Sequence, residues 1–170
     1  MMTTINEYLF DADGLSTAII LEKIKNVKGL PLCDMKVSDL IFYNKEPIYR
    51  GCGVYVFKLK DEIVYVGSCV SRSFVERIPS HFDIRGVGWF NSLLRTIRKS
   101  ILKKDVPRKD DAFLLDAARF AMSHMTVVLV NFIEVNSREL ITRLEHELID
   151  IFKTKNRKPS LKIFNLVVES

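Results

Sequence analysis

Two short apolar runs bounded by glycine constrain this chain more than anything else in it: Gly53-Val54-Tyr55 and Tyr65-Val66-Gly67. Val54, Tyr55, Val56 and Phe57 are strong strand formers. Lys60-Asp61-Glu62 supplies a polar turn and Ile63 to Val66 returns, so Gly53 to Gly67 reads as a β-hairpin. A turn centred there sets Gly53 roughly opposite Gly67 and Tyr55 roughly opposite Tyr65. Cross-strand neighbours lie about 5 Å apart, so the two tyrosines are expected on one face of the sheet.

Around the hairpin the periodicity is mostly helical. Thr3 to Lys25 reads as helix, broken at Asp13-Gly14 and ended by Gly29 to Pro31, while Met35 to Arg50 is irregular. Ser71 to Phe82 is expected to be a helix, with a capping box in Ser73 and Glu76 and an early stop at Pro79. Asn91 to Lys104 carries an apolar stripe of Leu93, Leu94, Ile97, Ile101 and Leu102, and Asp110 to His124 is another helix. Thr126 to Val135 is the clearest third strand. The last helix spans about Ser137 to Lys153, capped by Asn136 with Glu139, with Leu140, Leu144, Leu148 and Ile151 toward the core. A short extended tail, Leu161 to Val168, follows. The expected fold is α/β in the α+β sense: a small, mainly antiparallel sheet of about three strands flanked by helices. Residues 1–50 read as an N-terminal helical extension, and residues 51–168 as a core with a helical insertion at about 84–124.

A chain of 170 residues with 48% hydrophobic residues can build one real core. Its longest apolar stretch, around Val127 to Val130, is far too short to span a membrane, and the N-terminus lacks a secretory signal pattern. Cys33, Cys52 and Cys69 are odd in number and lack C-x-x-C spacing, so they read as reduced thiols in a cytoplasmic protein. Net charge is +5, and its distribution matters more than its size. Arg72, Arg77, Arg85, Arg95, Arg98, Lys99, Lys103, Lys104, Arg108 and Lys109 share their window with only Glu76, Asp83 and Asp105. A second basic run, Lys153, Lys155, Arg157, Lys158 and Lys162, follows the acidic segment Asp110 to Asp150. Such blocks suit either a polyanion-binding face or solvated helix faces.

Glu145 lies four residues after Ile141 and four before Ile149, at the edge of the last helix's apolar face. A carboxylate there is either an edge residue with its head in water or a ligand for a divalent cation. Arg77 presents a planar fork matched to phosphate oxygens, and is otherwise a surface arginine. Taken singly, Tyr55 and Tyr65 are ordinary strand residues, His81 is a helix-end histidine, and Trp89 is a packing residue.

In order along the chain, however, these residues resemble the GIY-YIG nuclease superfamily. Gly53-Val54-Tyr55 and Tyr65-Val66-Gly67 stand for the two named tripeptides. Ser68, then Arg77 with His81-Phe82, look like the homing-endonuclease branch, and Leu144 to Ile149 around Glu145 looks like the excision-repair branch. Pro159 and Phe164-Asn165 look like the closing piece. Arg72 is a rival for the arginine, and Glu147, whose phase turns it to solvent, a rival for the glutamate.

The resemblance implies a metal-dependent DNA endonuclease that hydrolyses phosphodiester bonds. The implied site has Glu145 binding one Mg²⁺ or Mn²⁺ and Arg77 on the phosphate. Tyr55 would orient and deprotonate water, with Tyr65 and His81 completing the set and Asn165 holding the fold. Arg72, Arg95, Arg98, Lys99 and Lys103 are the expected DNA-backbone contacts. The layout looks most like small restriction-type members, which often act as homodimers, with a DNA-repair role the close alternative. Specificity is then expected from the N-terminal and middle helices. The contrasting expectation is a catalytically inactive nucleic-acid-binding module of the same fold.

Overall fold

The computed structural model of the protein describes residues 7–85, 91–104, 113–134 and 137–155. Its centre is the expected hairpin, β5 (Gly53–Leu59) and β6 (Glu62–Cys69), joined antiparallel to β7 (Met125–Asn131). Two further strands lengthen this sheet: β1 (Leu9–Asp11) pairs parallel with β7, and β2 (Leu30–Pro31) pairs antiparallel with it. The order across the sheet is β1-β7-β5-β6, with β2 also on β7. The expected three strands are therefore the antiparallel middle of a mixed, five-stranded sheet. A separate two-stranded ribbon, β3 (Phe42–Tyr43) with β4 (Glu46–Pro47), follows a 3-10 turn at Val37–Leu40.

The helical reading of Thr3 to Lys25 is corrected within its described part. Leu9–Asp11 is a strand, and helix α1 (Thr17–Asn26) starts only after Ser16, whose side chain accepts the Ile19 amide at 3.4 Å. Residues 7–47 thus are not purely helical, and two of their strands belong to the main sheet. The cause is non-local: Leu9 lies beside Leu129, and pairing with a distant strand overrides a weak local helical pattern.

The hairpin register also differs from the expected one. Leu59 pairs with Glu62 across a tight Lys60-Asp61 turn, in which Lys60 has a φ of 56°, and a bulge lies between Phe57 and Lys58. Tyr55 is consequently opposite Gly67, Gly53 opposite Cys69, and Phe57 opposite Tyr65. The slip is two residues, so the side chains keep their faces.

Strand alternation sorts the core into two layers. On one face Tyr55, Phe57, Val127 and Leu129 pack with α2 (Phe74–Ser80), α3 (Ser92–Thr96) and α4 (Phe113–His124) through Phe74, Ile78, Leu93, Leu94 and Ala117. On the other, Val54, Val56, Val66 and Val130 pack with α1 and α5 (Arg138–Lys155) through Ile20, Ile24, Ile141, Leu144 and Leu148. Because β5 is covered on both sides, it reads as a nearly continuous apolar run, interrupted by Lys58, rather than an alternating one. The α5 stripe is turned slightly from the expected one: Leu140 is 39% exposed and Ile141 takes its place in the core. The Asn91 to Lys104 helix is realised as α3 running into a wide π-type turn at Ile97–Ile101.

Candidate functional site

Helix α2 delivers two of the expected residues. The Ser73 amide donates to Glu76 Oε2 at 2.9 Å, so the capping box forms as its spacing predicts. Pro79 lies one residue from the end of α2, and His81 follows as its C-cap. His81 is fully buried against the sheet. The Tyr55 hydroxyl and His81 Nε2 are 2.5 Å apart, and the His81 ring stands edge-on to Tyr65 with centroids 5.2 Å apart. Phe57 closes the group at 5.7 Å from Tyr55 and 5.9 Å from His81.

Gly67 makes this arrangement fit. The Tyr55 ring lies over it, so that a Cβ at position 67 would stand 2.4 Å from Tyr55 Cζ and from its hydroxyl oxygen. Gly53 serves a different close approach, since a Cβ there would come within 1.9 Å of the Val130 carbonyl oxygen.

Burial pushes the Tyr55 hydroxyl pKa up, and the neighbouring Tyr65 adds to the effect. The Arg77 guanidinium beside it pulls the other way through charge and hydrogen bonding. At neutral pH the phenol therefore keeps its proton, and it shares a short hydrogen bond with His81 Nε2 whose donor is set by the imidazole tautomer. Arg77 is half-buried, whereas its rival Arg72 is exposed in the loop before α2. Geometry thus sets Arg77 beside Tyr55. The Tyr65 hydroxyl shares a 2.9 Å hydrogen bond with Ser92 Oγ at the start of α3.

Glu145 reaches the site from the other side of the sheet. It is half-buried at the edge of the α5 apolar face, and the Ser68 hydroxyl donates to its Oε2 at 2.7 Å. Ser68 alternates along β6 with Gly67 and Cys69, so it faces α5 while they face the tyrosines. The expected residues therefore gather about the Gly67–Cys69 stretch of β6 but are divided between its two faces. Cys69 lies between them: burial raises its thiol pKa, followed by Cys52, with Arg77 lowering it and Glu145 raising it. The rival Glu147 is engaged elsewhere, accepting the Thr17 hydroxyl at 2.5 Å and so tying α5 to α1.

The basic residues are more committed than their sequence suggests. Arg98 forms an ion pair with Asp116 on α4, and Lys104 Nζ is 3.1 Å from the same carboxylate. Against the burial that would raise it, these contacts hold the Asp116 carboxyl below its usual pKa. Arg98, only 15% exposed, is thus turned toward α4. Arg95 Nε donates to Asn91 Oδ1 at 2.8 Å. Lys99 and Lys103 are exposed. Trp89, Asn136, Pro159, Phe164 and Asn165 lie outside the described residues, as do Arg157, Lys158 and Lys162.

Among the described residues no helix is long and apolar enough to cross a membrane, and no group of three or more His, Cys, Asp or Glu could hold a metal ion. The donors beside β6 are oxygens, the Glu145 carboxylate and the Ser68 hydroxyl. Oxygen donors suit a hard cation, and Mg²⁺ can be held by a single carboxylate because it keeps waters and takes phosphate oxygens. A single carboxylate among oxygen donors is chemically compatible with one Mg²⁺ or Mn²⁺ at Glu145. Compared with known proteins, the chain matches no family model, no curated protein and no solved structure.

Proposed function

We propose that the protein is a metal-dependent DNA endonuclease of GIY-YIG type, acting in the cytoplasm as a restriction or repair enzyme and working as a homodimer. One observation carries this reading: Tyr55, Tyr65, Arg77, His81 and Glu145, drawn from four elements, gather about one stretch of β6, with Glu145 on the face opposite the tyrosines. No periodicity of strand or helix requires that grouping.

Glu145 would hold the cation. A bound Mg²⁺ or Mn²⁺ supplies positive charge to the scissile phosphate and the departing oxygen. Arg77 would place its fork on non-bridging phosphate oxygens, where a fixed cation offsets charge gained on the way to the transition state. Tyr55 would orient the attacking water. It starts protonated, so it takes a proton from water only by passing its own to His81 Nε2 along the 2.5 Å contact. Tyr65, fixed by Ser92, would hold the second hydroxyl in place. Arg72, Arg95, Lys99 and Lys103 remain the proposed contacts to the DNA backbone.

A second reading, a binding module without catalysis, is favoured by one fact. Tyr55 and His81 are both fully buried, so neither meets bulk water in this conformation. Plasmid cleavage with Mg²⁺ or Mn²⁺ separates the two. The nuclease reading expects nicking or cutting that chelator abolishes and that falls by about 10²–10³ in Arg77→Ala. It also expects Glu145→Ala to remove cleavage. Salt-sensitive DNA binding without cleavage by the native protein would establish the second reading instead.

A further inference from the structure

The Ser68–Glu145 contact bears on how the metal carboxylate is aimed. Ile141, Leu144 and Leu148 are buried in the second core layer, so the α5 backbone on either side of Glu145 is pinned. That leaves the Glu145 side-chain torsions as the freedom to be removed. The Ser68 hydroxyl, presented by the β6 residue next to Gly67, donates to Oε2 at 2.7 Å. Both partners are half-buried. A charge-assisted hydrogen bond in such a setting is directional and stronger than a neutral one. It engages one lone pair of Oε2 and would leave Oε1 open toward a cation. Removing a group that orients a metal ligand in this way typically costs about 10–100-fold in metal affinity.

We infer that Ser68 is a positioning residue for the metal site, fixing the Glu145 carboxylate in the orientation that binds a divalent cation. The inference rests on the proposed metal role of Glu145 and adds the residue that sets its geometry. A purely structural alternative exists, since the same bond joins α5 to an edge strand. The two differ in what Ser68→Ala changes.

The test is Mn²⁺ binding to the full-length protein, followed by calorimetry and by the electron spin resonance of free Mn²⁺, with thermal melting recorded on every variant. Ser68→Ala is expected to weaken Mn²⁺ binding about tenfold while remaining folded. Ser68→Thr, which keeps the hydroxyl, is expected to stay within about twofold of native, and Glu145→Gln to lose binding. Native-like affinity in Ser68→Ala, with binding lost in Glu145→Gln, overturns the inference and leaves the metal role of Glu145 intact. Native-like affinity in Glu145→Gln, or no Mn²⁺ binding by the native protein, overturns the metal role and this inference with it. A Ser68→Ala protein that loses only thermal stability shows the bond to be structural.

Discussion

Gly67 has no side chain because the Tyr55 ring occupies the space one would need. The ring cannot retreat freely, since Phe57 and His81 stand against it and Tyr65 packs on both of them. Gly67→Ala should therefore act as overpacking, costing about 1–3 kcal/mol, and should displace the Tyr55 hydroxyl from His81 Nε2. Urea unfolding, together with the His81 imidazole resonances, reads both effects. An unchanged midpoint would mean that the ring swings aside at no cost. Part of this site was legible before the structure. The two glycine-bounded runs placed both tyrosines on one face, and the apolar phase of α5 placed Glu145 at its edge. The partners were not legible, because Ser68 lies 77 positions from Glu145 and Ser92 lies 27 from Tyr65. Nothing in periodicity relates such pairs. That Arg77 lies beside Tyr55 while Arg72 is exposed was likewise not legible, since both follow β6 closely.

At the level of elements, the sheet and α1 are joined by a residue whose role the sequence concealed. Lys58 sits inside β5, in a run that is otherwise apolar, yet it is only 1% exposed. Its ammonium donates to the carbonyls of Val27 at 2.9 Å, Ile24 at 3.3 Å and Lys25 at 3.4 Å, at the end of α1. Those are carbonyls a helix leaves without internal partners, at the end where its dipole is negative. Burial draws the ammonium's pKa down, with Asp61 opposing. Lys58→Met keeps much of the bulk and removes the donor, so it should cost about 1–3 kcal/mol through the stranded carbonyls. Denaturant unfolding measures this, and a loss below about 0.5 kcal/mol would show that water caps α1 equally well. The same long-range logic explains which elements could be read from sequence. Helices α2 and α5 carry their own caps or a strong stripe, and β5, β6 and β7 carry strand composition. β1 has three residues and exists because β7 lies beside it.

Across the whole molecule, several phenols are sealed into one core layer, and this gives the fold a characteristic response to alkali. Burial pushes the Tyr8 pKa up to about 12, with Asp39 and Tyr43 adding to it. Its hydroxyl donates to the Asp39 carbonyl at 3.0 Å and the Phe42 carbonyl at 3.2 Å, pinning the 3-10 turn and ribbon to the sheet. Burial also raises Tyr43, and raises Tyr55 further. In the unfolded chain a tyrosine titrates near 10. Above about pH 10 the folded state therefore binds more protons than the unfolded state, and stability must fall as pH rises. The contribution is fully present below about pH 10 and is lost as pH climbs through the folded value of Tyr8, about 12, and beyond it for Tyr55. The expected record is a steep decline above about pH 10, in which these phenols ionise only as the fold is lost. Tyrosinate ultraviolet absorbance measured beside far-ultraviolet circular dichroism tests it. Tyr8→Phe and Tyr55→Phe should each flatten the decline, because each removes one proton from the difference between the two states. If all the tyrosines ionised before any loss of secondary structure, the buried phenols would not be what couples this fold to pH.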